Sequence, residues 1–196
     1  MSSGIRFAEP SDAAAIRAIY APNVESTVIS FEMVPPTVEE MAERIARISA
    51  QYPWLVCETD GRLAGYVYAC PHRERAAYRW AVDVAVYVDE SFQRRSVGRA
   101  LYRSLLTLLR MQGYTQAFAS ITLPNPGSVG LHEAVGFAPV AVYRKVGHKL
   151  GAWRDVGWWQ LELSSDDHAP TEPVPIRTLA DSEAVVAALR AAEKGL

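Results

Sequence analysis

The sequence predicts one domain of the mixed α/β (α+β) class, and three observations support this. Apolar residues recur at the spacing of helices in some segments and at the alternating spacing of strands in others, and the two kinds interleave. Capping and turn residues separate these segments. The 196 residues are 49% hydrophobic and 21% charged, which suits a single globular domain with a sizeable core.

A short strand and two helices are predicted first. Residues 5–8 form the strand, and Pro10-Ser11-Asp12 begins a helix that runs to about Tyr20. Thr37 and Glu40 have the spacing of a capping box, and apolar residues at helical spacing follow them. A second helix therefore begins at this box.

A β-hairpin and a further strand follow the second helix. The hairpin consists of apolar runs at 54–58 and 63–69, joined by the turn residues Asp60-Gly61. Residues 80–88 form the next strand, which is apolar apart from one aspartate.

The rest of the domain is predicted to return to helices and then to strands. A helix covers 98–111 and ends near Gly113, and a strand covers 115–122. The turn at 124–127 leads into a short helix that ends near Gly136. The last two strands cover 140–146 and 156–163.

We predict three parts for the chain: the domain at 1–163, a proline-containing linker at 164–177, and a helical tail at 178–196. An apolar stripe in the tail allows it to dock on the domain or on a second subunit. Disorder of a free tail is the alternative.

Charge and cysteine content narrow the function classes. A net charge of -2 argues against nucleic acid or a membrane surface as the partner, and the chain has no transmembrane-length apolar run. Cys57 and Cys70 lie in apolar strands without the spacing of a metal site, so we expect reduced thiols and no metal. The absence of an export signal predicts a cytoplasmic enzyme or binding protein.

A basic loop precedes the helix at 98–111. Arg94, Arg95, Arg99 and Arg103 crowd the beginning of this helix, where positive charge is normally unfavourable. A phosphate bound to the exposed backbone amides and to the arginines would reverse that conflict. The alternative is a solvated basic turn.

Asp83 lies in the middle of an apolar strand, where aspartate is uncommon. Alternation places Asp83, Ala85 and Tyr87 on one face and the intervening valines on the other. Burial raises the pKa of a carboxyl group and suits it to act as a general base. A solvated aspartate or an arginine partner is the alternative.

Asn125 and His132 flank the short helix before Gly136. Asn125 has the position of a helix cap, and its amide could equally hydrogen-bond a linear ligand. His132 is either a structural histidine or a proton donor or relay. The sequence leaves both pairs of alternatives open.

Taken together, these segments resemble the GNAT superfamily of N-acetyltransferases, whose pyrophosphate motif is Gln/Arg-x-x-Gly-x-Gly/Ala. Residues 95–100, Arg-Ser-Val-Gly-Arg-Ala, satisfy it, with Ser96 where many members have glycine. Within the superfamily, residues 4–163 are similar to the phosphinothricin and methionine sulfoximine acetyltransferases. The segments that carry this likeness are 52–56, 69–71, 77–80, 86–88, 123–125, 132–137 and 151–160.

The resemblance implies a twisted, mixed and mostly antiparallel sheet of about six to seven strands, with helices on both faces and a splayed strand pair at the cofactor site. It implies acetyl-CoA as the co-substrate. The backbone of the splayed strand would hold the acetyl and pantetheine groups, the arginine loop the pyrophosphate, and Asn125 the pantetheine. The predicted cofactor-binding residues are Val86, Tyr87, Val88, Arg94, Arg95, Ser96, Val97, Gly98, Arg99 and Asn125.

The resemblance also implies direct acetyl transfer to the α-amino group of a small amino acid, and hence resistance to a phosphinothricin herbicide. Asp83 would be the base, where the family has the longer glutamate, and it would act directly or through water. His132 stands where many members have a tyrosine acid. The predicted substrate-binding residues are Phe31, Arg73, Arg75 and Tyr78.

The group is commonly homodimeric, so the resemblance implies a homodimer here. Two other functions remain as alternatives. One is a peptide or protein N-terminal acetyltransferase, which needs an open groove, and the other is an acyl-CoA sensor without catalysis.

Overall fold

The computed structural model describes residues 3–165, 171–194 and 196. Within them the sheet has seven strands: β1 (Ser3–Phe7), β2 (Trp54–Thr59), β3 (Arg62–Pro71), β4 (Ala81–Val88), β5 (Gln116–Leu123), β6 (Ala138–Lys149) and β7 (Ala152–Glu162). The same residues include the helices α1 (Ala13–Glu25), α2 (Val38–Ser49), α3 (Val97–Gln112), α4 (Pro126–Ala134) and α5 (Glu183–Glu193).

The sheet has the order β1-β2-β3-β4-β5-β7-β6. Its neighbouring strands are antiparallel except β4 and β5, which are parallel. This parallel pair is in register only from Ala81 to Asp83 on β4 and from Gln116 to Phe118 on β5. The strands then diverge, so the mixed sheet and its splayed pair are confirmed.

Apolar side chains cover both faces of the sheet. On one face α3 buries Leu101, Leu105 and Leu109 in the larger core cluster. On the other face α1 and α2 contribute Ile16 and Ile45 to a second cluster. Each buried aliphatic side chain of this size stabilises the fold by about 1.5–3 kcal/mol through the hydrophobic effect. The sheet is thereby a rigid support between two helical layers.

The predicted capping box of α2 is confirmed. The Thr37 hydroxyl accepts the Glu40 backbone N–H at 3.1 Å, and a Glu40 carboxylate oxygen accepts the Thr37 N–H at 2.8 Å. Both bonds satisfy amides that would otherwise lack a partner at the helix start.

The predicted end of the first helix near Tyr20 is wrong. Residues 10–12 form a short 3-10 turn, and α1 runs on to Glu25 with Pro22 inside it. Proline removes a backbone donor and disfavours a helix interior. Burial of Val24, which is 1% exposed, extends the apolar face beyond Pro22 and outweighs this local preference.

The predicted strand at 140–146 was too short, because β6 extends from Ala138 to Lys149. It pairs with β7 through a tight turn in which Leu150 and Gly151 both have positive φ. Residues beyond 146 are largely polar, so apolar alternation could not locate the end of this hairpin strand.

The C-terminal helix α5 packs on α3 and β1. Val185 is buried, and a Glu193 carboxylate oxygen accepts the Ile5 backbone N–H at 2.9 Å. Within the predicted linker, residues 166–170 lie outside the described residues. Its later part is held by backbone bonds from Val174 to Gln112 and from Ile176 to Gln51.

No helix in the described part of the chain combines the length and apolar character needed to cross a membrane.

Candidate active site

A cavity of about 540 Å³ lies where β4 and β5 diverge. Six of the residues singled out from the sequence as site candidates line it: Phe31, Asp83, Val86, Tyr87, Asn125 and His132. The splay therefore brings residues from three distant segments of the chain to one chamber.

The predicted alternation along β4 is confirmed. The Tyr87 ring contacts Tyr20 of α1 edge-on, with ring centroids 5.0 Å apart, and packs with the α1/α2 cluster. Val86 and Val88 pack against the α3 cluster on the opposite face. Because the register with β5 ends at Asp83, the β5-facing backbone of the later β4 residues can bond an extended ligand as a neighbouring strand would.

The arginine loop presents backbone amides at the start of α3. Arg94 and Ser96 both have positive φ, 59° and 65°, and Ser96 is the residue before the helix. The Ala100 N–H donates to the Ser96 carbonyl at 3.0 Å. The N–H groups of the first helical turn come before this bond, so they have no acceptor within the helix. Such a turn forms an anion-binding concavity, and the three exposed arginine side chains of 94–99 add positive charge.

Gly98 lets α3 approach α4 closely. A Cβ atom at this position would lie 2.9 Å from Leu131 Cδ2 and 3.6 Å from Val88 Cγ2. A larger residue would therefore push α4 away from the end of β4, next to the cavity.

Replacing Ser96 with glycine should raise the free energy of unfolding by up to about 1 kcal/mol, because glycine adopts a positive φ without the steric cost that a side chain has there. Urea denaturation of the purified protein measures this change. Ser96→Ala is the matched control, since alanine keeps the strain and should give no increase. An equal gain from alanine would contradict the strain at Ser96.

Asn125 caps α4. Its side-chain oxygen accepts the Ser128 backbone N–H at 3.1 Å, which leaves its amide N–H₂ group as a donor at the wall of the cavity. The two uses that the sequence left open are therefore compatible, because the cap uses the oxygen and a ligand can use the nitrogen.

Asp83 is paired with His72, a residue that the sequence analysis did not single out. Asp83 Oδ1 lies 2.6 Å from His72 Nδ1, and the Asp83 side chain is 30% exposed. Burial raises the pKa of Asp83, and the hydrogen bond and charge of His72, followed by the charge of Arg73, act in the opposite direction. The net direction of its pKa is upward, as a general base near neutral pH requires.

Both ring nitrogens of His132 have partners. Its Nδ1 lies 2.7 Å from the Ser128 carbonyl oxygen, which can only accept, so Nδ1 carries the proton. Its Nε2 therefore accepts the hydroxyl proton of the buried Tyr102 at 2.7 Å. Burial lowers the pKa of His132. These contacts favour the structural alternative, and the predicted catalytic role of His132 stays a prediction.

The four predicted substrate residues differ in position. Phe31 lines the cavity, and the Arg73 guanidinium lies 5.6 Å from the ring centroid of Trp158, which also lines it. Tyr78 contacts His72 edge-on at 5.9 Å. Arg75 is exposed before a short 3-10 turn and is not among the cavity residues. The structure thus brings three of the four to the cavity or its border.

Lys149 anchors the loop that carries Phe31. Its ammonium group is buried and donates to the backbone carbonyls of Ser30, at 2.7 Å, and Val24, at 2.6 Å. The β6 end and the loop after α1 are therefore tied together. No sequence pattern around Lys149 indicated that it would hold this loop.

The chain belongs to the GNAT family of acetyltransferases, because the family model "Acetyltransferase (GNAT) domain" matches residues 5–158. Within this family it is an N-acetyltransferase of the phosphinothricin acetyltransferase-like kind. The phosphinothricin N-acetyltransferase of Streptomyces viridochromogenes is 40% identical over 173 residues, which are 88% of this chain and 92% of that protein.

Two further proteins show the same likeness. The L-methionine sulfoximine/L-methionine sulfone acetyltransferase of Salmonella typhimurium is 35% identical over 166 residues, 84% of this chain and 96% of that one. A phosphinothricin acetyltransferase structure from Sinorhizobium meliloti, in complex with acetyl-CoA, superposes with a TM-score of 0.84 at 33% identity. The superposition covers 89% of this chain and 96% of that one.

Proposed function

We propose that this enzyme transfers the acetyl group of acetyl-CoA to the α-amino group of a small amino acid of the phosphinothricin or methionine sulfoximine type. The observation that carries the proposal is the cavity between the splayed strands, which has a carboxylate on one wall, with the arginine-flanked start of α3 beside the end of β4. The relatives named for these two acceptors and the related acetyl-CoA complex support the choice of substrates.

The residues of the chain fit acetyl-CoA in two places. The first turn of α3 and its arginines suit a pyrophosphate, because exposed amides and guanidinium groups both bind phosphate oxygens. The unpaired edge of β4 and the Asn125 amide suit the amide groups of the pantetheine arm. When bound, acetyl-CoA supplies the acetyl group as a thioester.

Asp83 prepares the acceptor in this proposal. The acceptor enters as an ammonium ion, which is not a nucleophile, and Asp83 removes its proton directly or through one water. Backbone N–H groups of β4 next to the carbonyl stabilise the negative charge that develops on its oxygen. Holding both reactants in one chamber lowers the barrier further, by an amount that reaches about 7–11 kcal/mol in well-oriented systems.

A guanidinium at the cavity border suits the acidic end of such an acceptor. Arg73 lies near the border, held by a bond from its Nη1 to the His72 carbonyl at 2.7 Å and by the Trp158 ring. A guanidinium binds a carboxylate, phosphinate or sulfoximine oxygen by paired hydrogen bonds. We also propose that Arg75, from its exposed loop, supplies a second guanidinium to a bound acceptor.

The test is turnover with a panel of acceptors. Purified protein is mixed with acetyl-CoA and with phosphinothricin, methionine sulfoximine, methionine sulfone or unmodified amino acids, and free thiol release is followed. Methionine sulfone carries only its α-amino nitrogen, so an acetylated product identified by mass spectrometry places the acetyl group there. Acetyl-CoA binding without thiol release on any acceptor would overturn the enzyme proposal and favour a sensor.

We also propose that the chain forms a homodimer through the edge of β6. Val140, Val142 and Val146 are exposed on this outermost strand, which is unusual for an edge strand facing water. Replacing Val142 with lysine should shift the protein from dimer to monomer in sedimentation equilibrium, because a buried lysine ammonium would lose its hydration. Lysine at Val38, an exposed apolar residue on α2, is the matched control and should leave the assembly unchanged.

A further inference from the structure

His72 lies beside the cavity carboxylate because of the pairing between β3 and β4. Cys70 is opposite Asp83 in the antiparallel register, so His72, two residues further on, is its diagonal neighbour. The distance of 2.6 Å between His72 Nδ1 and Asp83 Oδ1 is that of a strong hydrogen bond to an ionised acceptor. The carboxylate can only accept, so Nδ1 is the donor.

Aromatic rings fix the orientation of this imidazole. It stacks on Phe118 with centroids 4.4 Å apart and an interplanar angle of 21°. The rings of Tyr78 and Trp158 meet it edge-on at 5.9 and 6.0 Å. Only 12% of the His72 side chain is exposed. The ring therefore has little freedom to turn Nδ1 away from Asp83.

His72 leaves one carboxylate oxygen for the cavity. A carboxylate has two acceptor oxygens, and His72 occupies Oδ1. Among the groups that act on the pKa of Asp83, His72 is the largest that favours the charged form, and Arg73 adds a smaller contribution of the same sign. Cys70 on β3 is a neutral thiol, because burial raises its pKa to about 11, and Phe118 on β5 carries no charge.

We propose that His72 is a positioning residue for acetyl transfer, which keeps Asp83 ionised and holds its second oxygen toward the acceptor. This inference rests on the proposed function. The ammonium proton passes to the free Asp83 oxygen, directly or through one water, and Asp83 later releases it to solvent. The amine nitrogen forms a bond to the acetyl carbon as the carbon–sulfur bond breaks, and the sulfur leaves with the electron pair and takes up the second nitrogen proton.

Two replacements of His72 separate its hydrogen bond from its packing. His72→Phe keeps an aromatic ring on Phe118 and removes the donor, whereas His72→Asn loses the ring and keeps an amide N–H close to the position of Nδ1. The kcat and KM of both variants are measured by thiol release between pH 5 and 9, with circular dichroism and acetyl-CoA affinity as checks of the fold.

We expect His72→Phe to lower kcat about 10- to 100-fold, the range for losing one hydrogen bond to a charged group, with little change in the KM for acetyl-CoA. The acid limb of its pH profile should move to higher pH, because the loss of the donor lets burial raise the pKa of Asp83 further. His72→Asn should recover most of kcat and return the acid limb toward its wild-type position.

Asp83→Asn combined with His72→Phe should be no slower than Asp83→Asn alone, since the two residues act as one unit. Unchanged kcat and pH profile in His72→Phe, or a loss of kcat without a shifted limb that asparagine does not restore, would overturn the role of His72. Absence of turnover by the wild-type protein on every acceptor is a different result, and it would overturn the proposed function itself.

Discussion

Replacing Asp83 with asparagine should lower kcat by about 10²- to 10⁴-fold, the contribution typical of a positioned general base. Asparagine has the same shape and can still accept the bond from His72, but it cannot take a proton at neutral pH. The KM for acetyl-CoA should stay within about twofold, because the proposed pyrophosphate site lies at the start of α3 rather than at Asp83. Steady-state thiol release at saturating acceptor measures both quantities.

Asp60→Asn is the matched control for this variant. It makes the same chemical change in the exposed turn between β2 and β3, where Asp60 has a φ of 51° that asparagine tolerates. Its kcat should equal that of the wild type. A kcat for Asp83→Asn within threefold of the wild type would exclude Asp83 as the base and leave proximity as the main source of catalysis.

Wild-type activity should fall on the acid side at a pH above the ordinary range of aspartate. Only the ionised carboxylate accepts a proton, and burial of Asp83 raises its pKa despite the opposing effect of His72. The acid limb of the kcat profile therefore lies higher than for an exposed aspartate. The inflection should disappear in Asp83→Asn, and its persistence would assign it to another group.

Local chemistry made much of the fold predictable. The Asp60-Gly61 turn located the hairpin, and Gly113, with a φ of 89°, ends α3 as its position suggested. Both signals act within a few residues, because a backbone with positive φ favours glycine, asparagine or aspartate. The face of β4 that carries Asp83 followed equally from the period of two.

Long-range pairing was not predictable in the same way. The contact between His72 and Asp83 depends on the register of β3 with β4, and no residue near His72 encodes that register. The Lys149 contacts with Ser30 and Val24 depend on a separation of more than one hundred residues. The sequence therefore singled out the carboxylate that lines the cavity and missed the side chains that hold it and the neighbouring loop.

The splay between β4 and β5 links the fold to the proposed chemistry. A parallel pair that stayed in register would satisfy the backbone of β4 and close the cavity. Divergence after Asp83 instead leaves β4 paired with β5 only as far as the carboxylate. Beyond it β4 still pairs with β3, and its β5-facing edge is open to an extended arm. In the proposed function, the base and the residues that bind the acyl donor therefore lie on the same strand.

Replacing His132 with leucine should lower the free energy of unfolding by about 1–3 kcal/mol, because it leaves the buried Tyr102 hydroxyl without its partner. The structural alternative for His132 predicts this loss of stability with kcat nearly unchanged per folded molecule. A proton donor or relay predicts the opposite, a loss of kcat with a smaller change in stability. Urea denaturation and thiol release on the same preparations give both values.

The combination of His132→Leu with Tyr102→Phe makes the test sharper. Each single change leaves one buried polar atom of the 2.7 Å pair unsatisfied, whereas the double change replaces both partners with apolar groups. Because the penalty arises from the unpaired atom, the double variant should lose clearly less stability than the sum of the single variants. A relay through Tyr102 and His132 would instead give a double variant with recovered stability and a low kcat. That outcome would support a catalytic role for His132.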